Sequence, residues 1–168
     1  MELKKLVDES LVLFRIDDIS SLKDKLKDIV LNNKIEYYKK FKGLVEDLSV
    51  DWLQKIFQYY EADRKEKMQD YTPTSLAKFI SKLSENNEDT VLDMCAGSGA
   101  LTIQKWNENK DLKFICEEFD ENVIPFLLFN LAIRNIDATV IQKDVLEDKE
   151  FKKYKIIKGK EFATVKEE

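Results

Sequence analysis

The residues from Val91 to Thr102 constrain the fold of this chain more than any other stretch of its sequence. The first two of them are typical of the end of a buried strand, and Asp93 stands where that strand stops. Gly97 and Gly99 then allow a tight turn, and the apolar residues after them begin a helix. The stretch predicts a strand, a glycine loop and a helix, with backbone N–H groups of the loop directed into a pocket.

The acidic residues at the strand ends indicate what this pocket binds. Asp93 would repel a pyrophosphate but would accept hydrogen bonds from an amino group or from hydroxyls, so the ligand should carry donors. A second predicted strand, 112–116, leads to Glu118, about 20 residues after the glycine loop, where an acid commonly binds ribose hydroxyls. A third predicted strand, 138–142, precedes Asp144, whose carboxylate could receive an adenine amino group. The three strand ends predict a nucleoside-shaped site.

A Gly-x-Gly pattern alone fits a structural turn as well as a cofactor loop, but the combined pattern resembles a known family. The run from Asp93 to Gly99, with Glu118 and Asp144, resembles the S-adenosylmethionine (SAM) site of class I methyltransferases. Residues 69–73 and 126–135 resemble the Tyr-Thr-Pro segment and the helix after the second strand in N6-adenine DNA methyltransferases of the type I restriction-modification kind.

The resemblance implies SAM as the cofactor and a set of residues that bind it. Tyr71 to Pro73 would lie against the methionine portion of SAM, although they also fit a plain capped helix start with Thr72 as the cap. Phe119 would pack on the adenine face or in the core. The full implied set is Tyr71, Thr72, Pro73, Asp93, Cys95, Ala96, Gly97, Gly99, Glu118, Phe119 and Asp144.

The sequence departs from this family at the catalytic step. The family carries its catalytic signature, Asn or Asp followed by Pro-Pro and Tyr or Phe, just after the fourth strand. The corresponding region here, 151–168, has no such motif, and the only two prolines of the sequence are Pro73 and Pro125. The sequence therefore predicts the SAM-binding part of a methyltransferase without its catalytic residues.

The predicted elements describe an α/β fold, a truncated Rossmann-like class I methyltransferase sheet preceded by helices. We expect about four parallel strands in the order 3-2-1-4, with right-handed crossovers and the ligand at the carboxyl ends. The fourth strand, 154–157, would lie beside the first and form an exposed edge, which its lysines could protect or a partner strand could pair with. Residues 1–66 are predicted to form three or four amphipathic helices, and residues 67–168 the incomplete SAM-binding domain.

Composition limits the partners and the location. The formal net charge is −5 and the sequence has no histidine, so no basic field would hold DNA without a partner chain. No apolar run approaches the ~18 residues of a membrane span, which predicts a cytoplasmic protein with no membrane contact. Cys95 and Cys116 have no partners at metal-ligand spacing, and we interpret both as reduced, buried residues. A homodimer or a hetero-partner would use the fourth-strand edge.

Three functions stay open on the sequence alone. The first is a SAM-binding protein that is inactive by itself, as a regulator or as a component completed by another chain. The second is a minimal active SAM-dependent methyltransferase that acts on adenine N6 of DNA or on a smaller acceptor. The third is an interaction module on a relic methyltransferase fold that binds no cofactor.

Overall fold

The structure is a computed structural model that describes residues 3–60, 72–84 and 89–168. Helices form the first part of the chain, and strands and helices then alternate as far as β3. The helices are α1 (Leu3–Phe14), α2 (Leu22–Leu31), α3 (Ile35–Val45), α4 (Trp52–Tyr60), α5 (Thr74–Leu83), α6 (Ala100–Glu108) and α7 (Ile124–Ile133). The strands are β1 (Thr90–Met94), β2 (Lys113–Glu118), β3 (Asp137–Asp144), β4 (Lys149–Ile157) and β5 (Thr164–Glu167). No helix in the described part of the chain is long and apolar enough to cross a membrane.

The N-terminal helices bury the apolar stripes that their sequence spacing predicts. α1 buries Leu6, Val7 and Phe14, and α2 and α3 each bury one face in the same way. The chain breaks between α2 and α3, where Asn33 adopts a φ of +48°. Asparagine tolerates this left-handed conformation better than most residues do.

α7 lies between the sheet and the N-terminal helices. All ten of its residues are buried, and a helix that is apolar on every side belongs inside a core. Its Phe129 ring lies 5.8 Å from Phe14, 5.0 Å from Tyr38 and 5.5 Å from Phe41, measured between ring centroids. The helical region and the sheet therefore share one hydrophobic core.

β1, β2 and β3 are parallel neighbours, as predicted. α6 and α7 connect them, and right-handed crossovers that advance in one direction place both helices on the same face of the sheet. The register sets Asp93 of β1 opposite Cys116 of β2, and Met94 opposite Glu117. The carboxyl ends of the first two strands therefore meet where the glycine loop begins.

The predicted position of the fourth strand is wrong. β4 pairs antiparallel with β3, and β5 pairs with β4, so the sheet is mixed and five-stranded with the order β1-β2-β3-β4-β5. Only residues 145–148 connect β3 to β4, and the Asp144 carboxylate accepts the N–H groups of Leu146 and Glu147 in this turn. A parallel crossover needs about a dozen residues or more, so this connection permits only a hairpin.

The edges of the sheet are therefore β1 and β5, and they differ in protection. At β5, the Asn33 side chain donates to the Val165 carbonyl at 3.2 Å and accepts from the Val165 N–H at 2.9 Å, which blocks pairing with another strand. At β1, no described residue pairs with the outer edge, and Leu92 and Met94 are 53% and 60% exposed. The fourth strand is an interior strand, so the exposed edge that the sequence predicts there is absent, and the open edge of the described sheet is β1.

Candidate functional site

The glycine loop, residues 95–99, connects β1 to α6 at the carboxyl end of the sheet. Cys95, Gly97 and Gly99 have positive φ angles of +60°, +57° and +96°. The Ala96 N–H donates to a carbonyl of β2 at 2.9 Å, and the Gly99 N–H donates to the Ala96 carbonyl at 2.9 Å. The loop is the tight turn that the sequence predicts, and it is fastened to the neighbouring strand.

The two glycines of this loop differ in the space that is available for a side chain. At Gly99, a Cβ would lie 3.0 Å from Cδ1 of Leu127, so both space and the positive φ favour glycine. At Gly97 the space is open and only the φ favours glycine.

Cys95 is exposed at the start of the loop, so the prediction that it is buried is wrong. Cys116 is buried within β2 as predicted, and burial raises the pKa of its thiol to about 12.

Glu118, at the end of β2, lies against the glycine loop, in keeping with the motif spacing. Its Oε2 accepts a hydrogen bond from the Gly97 N–H at 2.7 Å, and its Oε1 accepts one from the Asp120 N–H at 2.9 Å. Two backbone donors fix the orientation of this carboxylate. Each carboxylate oxygen has a second acceptor position, so Glu118 is able to accept hydrogen bonds from the hydroxyls of a ligand as well.

Phe119 follows Glu118 and lies at the surface. The residue is 58% exposed, and its ring meets Phe151 of β4 edge to face, with 6.1 Å between the ring centroids. This exposure excludes the alternative that Phe119 packs in the core. An exposed aromatic face beside the loop is able to pack on a planar ligand.

Asp93, near the end of β1, is buried, with 8% of its surface exposed. The Thr102 hydroxyl of α6 donates a hydrogen bond to its carboxylate. Burial raises the pKa of Asp93, the nearby charge of Glu118 raises it further, and the hydrogen bond from Thr102 opposes both. A buried carboxylate with a raised pKa costs stability and is typical of functional sites.

A cavity of about 260 Å³ lies between α5, β1 and α6, and Asp93 belongs to its lining. The lining also includes Lys105 and Ser81, whose buried hydroxyl has no hydrogen-bond partner among the described residues. Neither Glu118 nor any residue of the glycine loop lines it. Asp93 and Glu118 therefore do not share this cavity, although both stand at strand ends.

The other predicted site residues make no hydrogen bond to the loop, as far as the structure describes them. Tyr71 falls outside the described residues. Thr72 is half-buried and Pro73 is exposed. α5 begins at Thr74, one residue later than predicted, and no side chain in the described part of the chain caps it. Asp144 accepts hydrogen bonds within the hairpin turn after β3. Within residues 72–84 and 89–168, no hydrogen bond joins Thr72, Pro73 or Asp144 to the glycine loop.

Sequence reasoning missed the residues that hold Ser98, in the middle of the loop. The Ser98 hydroxyl donates to Oδ2 of Asp51 at 2.6 Å, and Nδ2 of Asn130 donates to the Ser98 carbonyl and to Oδ1 of Asp51, each at 2.9 Å. Asp51 also accepts the Gln54 N–H at 2.9 Å, so it caps α4. Asp before a helix is a local capping signal, but no local pattern links it to the loop.

A parallel β-α-β-α-β unit with a glycine loop after its first strand and an acid at the end of its second is typical of the Rossmann-like class of nucleotide-cofactor folds. This class hosts many activities, so the fold alone does not choose among them. Residues 23–165 of the 168 match the N-6 DNA methylase family, and the chain belongs to that family. The match begins within α2 and so includes most of the helical region. No curated protein and no solved structure matches the chain.

We expect Asp93→Asn to stabilise the protein at neutral pH. Because the folded state raises the pKa of Asp93, folded protein keeps this proton where unfolded protein has lost it, so stability falls as pH rises through the raised pKa. Asparagine keeps a hydrogen-bond partner for Thr102 and removes the buried charge. The gain should be about 0.5–2 kcal/mol at pH 7 and should shrink toward pH 4, as measured by urea unfolding at several pH values. A gain that does not change with pH would contradict this explanation.

Proposed function

We propose that this chain binds SAM at the glycine loop and at the carboxyl end of β2. The observation that carries the proposal is the pairing of a positive-φ glycine loop with Glu118, whose carboxylate lies 2.7 Å from the Gly97 nitrogen. Methylases of the N-6 DNA family are typically SAM-dependent, and the chain belongs to that family. Glu118 accepts the Gly97 N–H at one position of Oε2, so its carboxylate keeps acceptor positions beside the loop for a ligand that carries hydroxyl donors.

The proposed contacts use side chains at the carboxyl ends of the three parallel strands. Glu118 has acceptor positions left for the ribose hydroxyls, and the exposed ring of Phe119 would pack on the adenine. Asp93 would accept from the methionine amino group, and Asp144 from the adenine amino group. Both of these carboxylates already hold hydrogen bonds, from Thr102 and from the hairpin turn, so each would have to share its oxygens.

We also propose that methyl transfer requires a strand that this sequence does not contain. Holding and activating a target adenine depends on positioned side chains, and the sequence has no Asn-Pro-Pro segment. The open edge of β1 is where the resemblance to class I methyltransferases implies a fourth strand, which in that family leads into this segment. The net charge of −5 also favours DNA contacts supplied from outside this chain.

The test is calorimetric titration of SAM and S-adenosylhomocysteine into the purified protein. We expect a Kd in the micromolar range, weakened about 10-fold or more in Glu118→Ala because the ribose acceptor is lost. Glu121→Ala removes the same charge three residues away and should bind as the unchanged protein does. Absence of binding, or equal loss in both variants, would overturn the SAM proposal.

A second readout uses the same protein with labelled SAM and adenine-containing duplex DNA. We expect no methyl transfer by the chain alone, and transfer by the unaided chain would establish the minimal methyltransferase instead. Binding of SAM without transfer supports the proposal that another segment completes the site.

An interaction module is the second candidate function, and the surface beside β1 favours it. α5 carries an outward apolar stripe, with Leu76, Phe79, Ile80 and Leu83 each between 38% and 66% exposed. Apolar stripes of this kind mark interaction surfaces when they adjoin an unpaired strand. No heat of binding with SAM, together with a mass above that of the monomer by light scattering, would establish this function in place of the first.

A further inference from the structure

The segment between α3 and α4, residues 47–51, accepts hydrogen bonds from α6 and from the residue that follows α7. Gln104 and Asn107 of α6 donate to the Ser49 carbonyl at 2.8 and 3.0 Å. Arg134, just after α7, donates to two further carbonyls of the segment, each at 2.8 Å. The N-terminal helical region is therefore joined to the α6 and α7 side by polar contacts as well as by apolar packing.

Asp51 ends this segment and reaches the glycine loop. It is 6% exposed, and each of its carboxylate oxygens accepts hydrogen bonds. Oδ2 receives the Ser98 hydroxyl at 2.6 Å, and Oδ1 receives Nδ2 of Asn130 and the Gln54 N–H, each at 2.9 Å. One carboxylate thus fixes the start of α4, a side chain of α7 and the central side chain of the loop.

Asn130 and Arg134 complete the network around Asp51. The Asn130 amide also donates to the Ser98 carbonyl at 2.9 Å, and Arg134 Nη1 donates to Oδ1 of Asn130 at 2.9 Å, which fixes the amide orientation. Burial lowers the pKa of Arg134 to about 10, against the opposing effect of the Asp51 charge, so the guanidinium stays charged at neutral pH. A buried network in which every member has a partner is rigid and specifies one geometry.

We infer that Asp51 is a positioning residue for the glycine loop and thereby sets the affinity of the cofactor site. Ser98 stands between the two glycines of the loop. Glu118 holds the loop through the Gly97 N–H, and Asp51 with Asn130 holds it through both polar groups of Ser98. The affinity part of this inference rests on the proposed SAM function, whereas the effect on the loop does not.

Loop order without cofactor gives the first readout, by amide hydrogen exchange followed by NMR. The Gly97 and Gly99 amides are both hydrogen-bonded and should be protected in the unchanged protein. We expect Asp51→Ala and Ser98→Ala each to speed exchange at these amides about 10-fold or more. Amides of the buried strand β3 report global stability in the same spectra, so the loop effect is separated from general loosening.

Two further variants keep the result interpretable. Asp51→Asn retains an acceptor for the α4 cap and a hydrogen-bonding partner for Ser98, so it should restore most of the loop protection. Asp47→Ala is the matched control, because the Asp47 carboxylate lies in the same segment and accepts hydrogen bonds from Ser49. Loop amides unchanged in Asp51→Ala, or exposed equally by Asp47→Ala, would overturn the inference.

SAM titration gives the second readout. If the unchanged protein binds SAM, Asp51→Ala and Ser98→Ala should each weaken binding about 10-fold, and the double variant should be no weaker than the weaker single one. Additive losses would mean that the two residues act separately, which contradicts the inference. If the unchanged protein binds no SAM, the proposed function fails, and the exchange measurement alone decides whether Asp51 positions the loop.

Discussion

Phe129→Ala should lower the free energy of unfolding by about 3–5 kcal/mol, the usual range for removing a fully buried aromatic ring from a core. Phe129 is 0% exposed, and its ring makes edge-to-face contacts with Phe14, Tyr38 and Phe41. These partners belong to α1 and α3, so the ring joins the helical region to α7. Alanine would leave a cavity where the two regions meet.

Urea unfolding followed by far-ultraviolet circular dichroism measures this loss. Phe79→Ala is the matched control, because Phe79 is 59% exposed on α5 and its removal should change stability by no more than about 0.5 kcal/mol. Since the helices and the sheet share one core, we expect a single transition in the unchanged protein. A loss below about 1.5 kcal/mol at Phe129, or two separate transitions, would show that the regions pack more loosely than the structure has them.

The sequence predicts the parallel part of the sheet but not the antiparallel part, for physical reasons. Each connection between β1, β2 and β3 is long enough for a helix, and each strand carries its own apolar residues. β4 begins with five exposed residues, Lys149 to Lys153, so no alternating pattern marks its first half. If the strand is recognised only from residue 154 onward, the segment before it is long enough to return beside β1. The four-residue turn between β3 and β4 excludes that return.

In the candidate site, too, some contacts are predictable from the sequence and others are not. Glu118 and Gly97 are 21 residues apart, a spacing fixed by one strand-helix-strand unit, so the motif predicts their proximity. Asp51 and Ser98 are 47 residues apart and belong to different parts of the chain. Their contact depends on how α7 packs against the N-terminal helices, and no periodicity or motif in one sequence encodes that packing. The role of Asp51 in holding Ser98 is therefore visible only in the tertiary structure.

Gly99→Ala should destabilise the loop and remove most of the cofactor affinity. The residue has a φ of +96° and a ψ of +25°, a left-handed conformation that costs an L-residue about 1–3 kcal/mol. The new Cβ would also lie 3.0 Å from Cδ1 of Leu127, in the fully buried helix α7, so that side chain would have to shift. If the loop leaves its turn to relieve both strains, the Gly97 N–H separates from Glu118, and SAM affinity should fall more than about 10-fold.

Gly43→Ala is a control for Gly99→Ala, because we expect it to change stability in the opposite direction. Gly43 lies within α3, and apart from its neighbours in that helix no described atom lies within 4 Å of an added Cβ. Alanine there should raise the free energy of unfolding by roughly 0.5–1 kcal/mol, since glycine loses more backbone freedom on folding. Thermal unfolding and SAM titration on both variants separate the two effects. Equal stability changes at Gly99 and Gly43 would mean that the loop does not hold the left-handed turn, and the basis for a cofactor site at this position would be lost.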